Sequence, residues 1–138
     1  MIIRVKLLEN GKYPERKTNG AACYDCYAAQ EGIINLRQTT IIPLGFAVEV
    51  PEGYYMEVRG RSGLSTKGIL VMTGTVDSDY RGEVGAIITN LSNKRFKYSI
   101  GDRIAQVCIK KIEDTTLEGV TELSETKRGS NGFGSTGV

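Results

Sequence analysis

The sequence predicts an all-β domain that ends in a glycine-rich arm. Apolar runs are short, and they alternate or break within a strand's length. Turn-forming residues recur between them at the close spacing of sandwiches and barrels. The last eleven residues, "RGSNGFGSTGV" (128–138), include four Gly and three hydroxylic side chains. That strip offers almost no apolar area to offset the backbone entropy of ordering it.

The elements read in chain order as follows. Ile3, Val5 and Leu7 alternate with Arg4 and Lys6, as in a half-buried strand. The polar, turn-rich stretch "ENGKYPERKTNG" follows, and then "GIINL", "TTIIPLGFAVEV" and "YYMEVRG". The later runs are "GILVM", "EVGAIITNL", "RFKYSI" and "RIAQVCIKKI". "PEG" at 51–53 and "LSNK" at 91–94 carry turn chemistry between apolar flanks and read as hairpin connections. One short helix is expected in "SGLSTK", and "TTLEGVTELSE" reads as a weak turn. No repeat period and no linker stand out.

With 138 residues, 40% hydrophobic and 25% charged, the chain has the make-up of one globular domain. A net charge of +2 gives no large single-sign field, so neither nucleic acid nor an acidic membrane is expected as a partner. No apolar run approaches the ~18 residues of a membrane span, and "MIIRVKLL" alternates where a signal peptide would be continuously apolar. The chain therefore reads as soluble and unexported, cytoplasmic or, if virus-encoded, intracellular.

Cys23 and Cys26 form a C-x-x-C, which raises zinc and redox readings. Zinc needs about four ligands, and the chain has no second cysteine pair and no His. The three cysteines read instead as small buried or half-buried thiols, with Cys108 in the core and no disulfide framework. The missing histidine also excludes Ser-His and Cys-His nucleophiles. It leaves carboxylates, Lys, Tyr and hard oxygen-ligated cations such as Mg²⁺ for any chemistry near neutral pH.

Four segments carry candidate chemistry. "GRSGLSTKG" (60–68) follows a strand and opens a turn, where backbone amides, hydroxyls, Arg61 and Lys67 form either a phosphate cradle or a plain polar turn. In "GTVDSDYRGEV" (74–84), straight-strand alternation puts Asp77 and Asp79 on one face and Tyr80 on the other. A turn at "DYRG" instead lets Asp77 and Tyr80 face one pocket, and a solvated hairpin tip is the alternative. In "GDRIAQ" (101–106), Asp102 and Arg103 are expected to pair at a strand entrance, and the hydrogen-bonding end of Gln106 is a candidate to serve a ligand. The terminal arm combines backbone donors, Arg128, hydroxyls at Ser130, Ser135 and Thr136, and a stacking ring at Phe133. Those groups suit a nucleotide, with the arm ordering as a lid when one is bound.

Together with "AACYDCYA" (21–28), these segments in this order resemble the five motifs of the trimeric dUTP diphosphatases (dUTPases) over nearly the whole chain. The first is the loosest: the family usually reads A-G-Y-D-L, whereas Cys23 and Cys26 stand at the glycine and leucine positions. Asn131 stands where Gly is common. The resemblance implies a distorted jelly-roll-like (β-clip) subunit, residues 1–127, with a flexible arm, residues 128–138, in a homotrimer whose sites are shared between subunits. It implies hydrolysis of dUTP to dUMP and pyrophosphate with Mg²⁺ as cofactor. Asp77 would act as the general base on the attacking water. Arg61, Ser62, Gly63 and Gln106 would hold phosphates, Gly74 the uracil edge, and Tyr80 the deoxyribose. Asp25 would reach the metal through water, while Arg128, Phe133, Gly134, Ser135 and Thr136 would close the lid. A dCTP deaminase on the same fold is disfavoured, because "GAIITN" lacks the carboxylate that family carries there. A non-catalytic nucleotide-binding regulator is the remaining alternative.

Overall fold

Side chains that alternate between water and an apolar interior leave few ways to bury one face of eleven short strands. In the computed structural model, which describes residues 1–137, they do so as four small antiparallel sheets around one core. The strands are β1 (Arg4–Leu7), β2 (Tyr24–Tyr27), β3 (Gly32–Ile34), β4 (Thr39–Pro43), β5 (Phe46–Glu49) and β6 (Tyr54–Arg59). After the single-turn helix α1 (Ser62–Ser65) come β7 (Ile69–Val71), β8 (Gly74–Val76), β9 (Gly85–Asn90), β10 (Phe96–Tyr98) and β11 (Arg103–Lys111). The largest sheet runs β2-β11-β6-β8, a second β4-β9-β7, and two ribbons pair β1 with β5 and β3 with β10.

The core is filled by inward-facing residues from every sheet, among them Phe46, Leu44, Ile42, Ile88, Ile34, Val58, Val107 and Ile104. Each such side chain, moved from water to the interior, contributes about 1.5–3 kcal/mol. The run "TTIIPLGFAVEV" splits into β4 and β5 at Leu44-Gly45, where Gly45 adopts φ +72°. The break lets the chain leave one sheet for another, and Gly11 packs so close that a Cβ on it would strike the Gly45 carbonyl.

Both expected hairpins are corrected. Residues 51–53 do turn, with the Tyr54 amide donating to the Pro51 carbonyl at 3.2 Å. Yet β5 pairs with β1, and β6 with β11 and β8, so the turn is a crossover between sheets. Residues 91–94 likewise carry the chain from β9, paired with β4 and β7, to β10, paired with β3. Turn residues fix a local reversal; they do not decide which strand edge the chain meets next. The stretch 115–125 forms no regular element, and the expected helix shrinks to the single turn α1.

The 91–94 crossover is organised by Asn90, the one polar side chain buried among the described residues. Its Nδ2 donates to the carbonyls of Ile34 (2.9 Å) and Lys94 (2.8 Å), and its Oδ1 accepts from the Ser92 amide (3.0 Å) and hydroxyl (2.7 Å). Removing that amide leaves several buried groups unpaired at once. Asn90→Ala is expected to lower unfolding free energy by about 2–4 kcal/mol, measured by urea denaturation; a loss below the scatter of that measurement would contradict this role.

Candidate functional site

The largest sheet has two faces with different work. Opposite residues of antiparallel strands share a face, so Asp25, Gln106 and Arg59 lie in one row across β2, β11 and β6. Their neighbours Tyr24, Val107 and Val58 line up toward the core. Asp25 is held at its backbone from both sides: it pairs with Gln106, and it exchanges two hydrogen bonds with Glu15 (3.1 and 2.8 Å). Glu15 is itself fastened, accepting from Lys17 (3.1 Å) and from the Tyr27 hydroxyl (3.0 Å). Those two hydrogen bonds, Lys17's foremost, hold its carboxyl below the usual range. The polar stretch after β1 therefore clamps β2.

Asp25 is only 15% exposed and faces two guanidinium groups, Arg103 at 3.0 Å and Arg61 at 3.6 Å. Arg61 also donates to the Arg103 carbonyl (3.0 Å), and Gln106 donates to the Gly60 carbonyl (2.7 Å). Asp25, Arg61 and Gln106 are thus brought together as expected, with Ser62 and Gly63 in the adjoining first turn of α1. Amides in such a turn precede any intrahelical acceptor and so can face a ligand.

The expected Asp102–Arg103 pair does not form. Asp102 accepts from the Ser99 amide (2.8 Å), closing its own turn, and Arg103 crosses to Asp25. A β-bulge is the cause: Arg103 pairs with Tyr27 and Ala105 with Cys26, so Ile104 is an extra residue. Without it, Arg103 would share the core-facing parity of Ala105 and Val107. Sequence alternation carries no signal for that extra residue, so it gives no hint that Arg103 joins the cluster.

A second cleft, of about 300 Å³, is lined by Val58, Gly74, Asp77, Tyr80, Glu83 and Ile87, among others. The turn lies two residues earlier than "DYRG", over Asp77–Tyr80, where the Tyr80 amide donates to the Asp77 carbonyl (3.1 Å); both side chains border one pocket with Gly74. The Tyr80 hydroxyl donates to the Glu83 carbonyl (3.0 Å), and the Glu83 carboxylate accepts from the Gly45 amide (3.0 Å). A Cβ on Gly82 would strike the Tyr80 hydroxyl, so that glycine makes room for the ring. Neither Gly82 nor Glu83 carries a signal in the sequence, where both look like ordinary turn residues.

Asp25, Arg61 and Gln106 are not among the residues lining the Asp77–Tyr80 cleft. The arm stands apart from both. Arg128 donates to the Asn131 carbonyl (2.9 Å), Ser135 and Gly137 close tight turns, and Phe133, Gly134, Ser135 and Thr136 are exposed. Val138 lies outside the described residues. Among the described residues no group of three or more acidic, Cys or His side chains clusters as a metal cage.

This arrangement of sheets matches known proteins. A family model described as dUTPase matches residues 9–137. The deoxyuridine 5'-triphosphate nucleotidohydrolase of Treponema denticola is 46% identical over 143 aligned positions, covering 100% of this chain and 99% of that protein. The dUTPase of Staphylococcus bacteriophage 80alpha, solved with dUPNHPP, superposes with a TM-score of 0.88 at 32% identity, covering 99% of both chains. A point mutant of the dUTPase from phage phi11 of S. aureus, whose structure concerns a structural Mg(II) ion, superposes with a TM-score of 0.84 at 27% identity, covering 91% of this chain and 100% of that one. Fold and sequence thus define a β-rich nucleotidohydrolase relative. The chain belongs to the dUTPase family.

The C-x-x-C resolves into two unrelated thiols: Cys26 is buried in the core, and Cys23 is half-buried outside it. Burial, with smaller contributions from Asp25 and Cys23, pushes the Cys26 thiol far above its ordinary value. Cys26 is therefore expected to resist iodoacetamide at pH 8 in the folded protein and to label fully in denaturant, as read by peptide mass mapping; rapid native labelling would contradict its burial.

Proposed function

We propose that the chain hydrolyses dUTP to dUMP and pyrophosphate, at sites completed between copies of the chain in a homotrimer. Membership of the dUTPase family supports the reaction. One observation supports the sharing: the lining of the cleft that holds Asp77 and Tyr80 does not include Asp25, Arg61 or Gln106 of the same chain. A cyclic arrangement sets one copy's first patch against another copy's second. In this reading residues 1–127 are the folded domain, and residues 128–138 are the arm that closes over the nucleotide.

The geometry supports the following roles. Arg61, with the turn amides of Ser62 and Gly63, offers donors to phosphate oxygens, and a forked guanidinium suits that geometry. Gln106 supports the turn from below through its bond to Gly60. Tyr80, pinned through its hydroxyl, presents a fixed ring wall to the sugar. Asp77 takes the proton of a water whose oxygen attacks the α-phosphorus, while the bond from that phosphorus to the bridging oxygen breaks and pyrophosphate leaves. Phe133 and Arg128 supply a stacking face and a cation to the bound nucleotide.

Magnesium fits the donor set only in a particular way. It dehydrates reluctantly and is commonly held through one or two carboxylates, water and substrate phosphates. Asp25 is the carboxylate available, already committed to two arginines, so it would hold the ion through water and not directly. When bound, the ion neutralises triphosphate charge, so the protein's remaining task is positioning and proton acceptance. A carboxylate suffices for the latter, which accords with a chain that has no histidine.

Asp77→Asn is expected to lower kcat for pyrophosphate release from dUTP by about 10²–10⁴-fold with nucleotide affinity retained; an unchanged kcat would remove Asp77 from the base role. Deletion of residues 128–138 is expected to leave the melting temperature unchanged and to cut kcat by about 10²-fold through lost positioning; full turnover would refute the lid.

A further inference from the structure

The face of the large sheet that carries Asp25 and Gln106 also carries a pair of thiols. In the β2–β11 register, Gln106 opposes Asp25 and Val107 opposes Tyr24. The next step along both chains sets Cys108 opposite Cys23, just past the last paired residues. Burial foremost, and then the Cys108 thiol beside it, pushes the Cys23 thiol up. Cys108 is buried but outside the core cluster, as its alternation with Val107 and Ile109 requires. Cys26, the sequence neighbour of Cys23, points into that core and is out of reach.

We propose that Cys23 and Cys108 are a redox-active pair that closes to a disulfide between β2 and β11. Opposed residues of an antiparallel pair have Cα atoms about 4.5–5.5 Å apart, inside the range of about 4.4–6.8 Å that a disulfide spans. Continuation of that register by one residue therefore brings the two positions within disulfide reach. The oxidant is a small-molecule disulfide of the glutathione class. The half-exposed Cys23 attacks one of its sulfurs as thiolate, breaking that S–S bond and releasing one thiol. Cys108 then attacks the mixed disulfide at Cys23 and releases the second thiol. Two protein thiols and one disulfide become one protein disulfide and two small thiols, and an excess of thiol reverses the exchange.

The consequence is a staple. It links positions 23 and 108, closing a loop of about two thirds of the folded domain, and long loops gain most from such a tie. It also pins, two residues away, the Asp25–Gln106 pair that underlies the phosphate cluster. That last consequence rests on the proposed dUTP reading; formation of the bond does not.

The test uses the full-length protein, reduced and then incubated with oxidised glutathione. After quenching with N-ethylmaleimide, it is digested with trypsin without reduction. Expected is a linked peptide pair two hydrogen masses below the sum of its parts, with fragment ions placing the link at Cys23 and Cys108. Dithiothreitol should abolish it, and Cys23→Gly should prevent it. The oxidised protein should melt about 5–10 °C higher than the reduced one. Glutathione adducts alone, a link to Cys26, or an unchanged melting temperature in the linked protein would overturn the proposal, whatever the protein's activity on dUTP.

Discussion

Everything in this chain depends on the antiparallel register of β2, β11 and β6. Because side chains alternate, the register that buries Val107, Val58 and Met56 also assigns the other face. Asp25, Gln106 and Arg59 fall in one row there, and Cys23 and Cys108 in the next. A slip of one residue would exchange the faces, placing carboxylate and guanidinium groups in the core. The free energy that fixes the fold is therefore the same free energy that assembles the polar cluster.

Charge on that face is arranged to remain usable. Asp25 meets two arginines, so the cluster keeps an excess of positive charge near Gly60–Gly63. Its backbone is fixed through Glu15 and Gln106, which leaves the carboxylate little freedom to move. The other cleft is built differently, from a turn whose shape depends on Gly82 making room for Tyr80 and on Glu83 reaching Gly45. One patch is rigid because strands hold it, and the other because a turn closes on its own side chains.

Much of this was legible in the sequence. Period-two alternation marks most of the strands, and the absence of histidine leaves carboxylates, Lys, Tyr and hard oxygen-ligated cations as the candidates for chemistry near neutral pH. A turn that lets Asp77 and Tyr80 border one pocket was legible too, although it falls over Asp77–Tyr80 and not at "DYRG". Other features were not legible, for physical reasons that differ. The sheet partners of β6 and β10 are set by long-range burial, which the turns at 51–53 and 91–94 do not encode. Arg103 reaches Asp25 because of one extra residue at Ile104, and a bulge of that kind leaves no mark in the alternation. The thiol that the β2–β11 register carries toward Cys23 is at Cys108, one residue past the Val107–Tyr24 pair, and not at Cys26 three positions away.

The claim on which the functional account turns is that one copy's Asp77 works with another copy's Arg61. Subunit mixing tests it most directly. Asp77→Asn and Arg61→Ala proteins, each inactive alone, are unfolded together, refolded in equal amounts and assayed for pyrophosphate release from dUTP. Random cyclic assembly gives about one quarter of the sites both intact residues, so about a quarter of the unmutated activity should return. A mixture no more active than its components would show that each chain carries its whole site, and the account would be wrong.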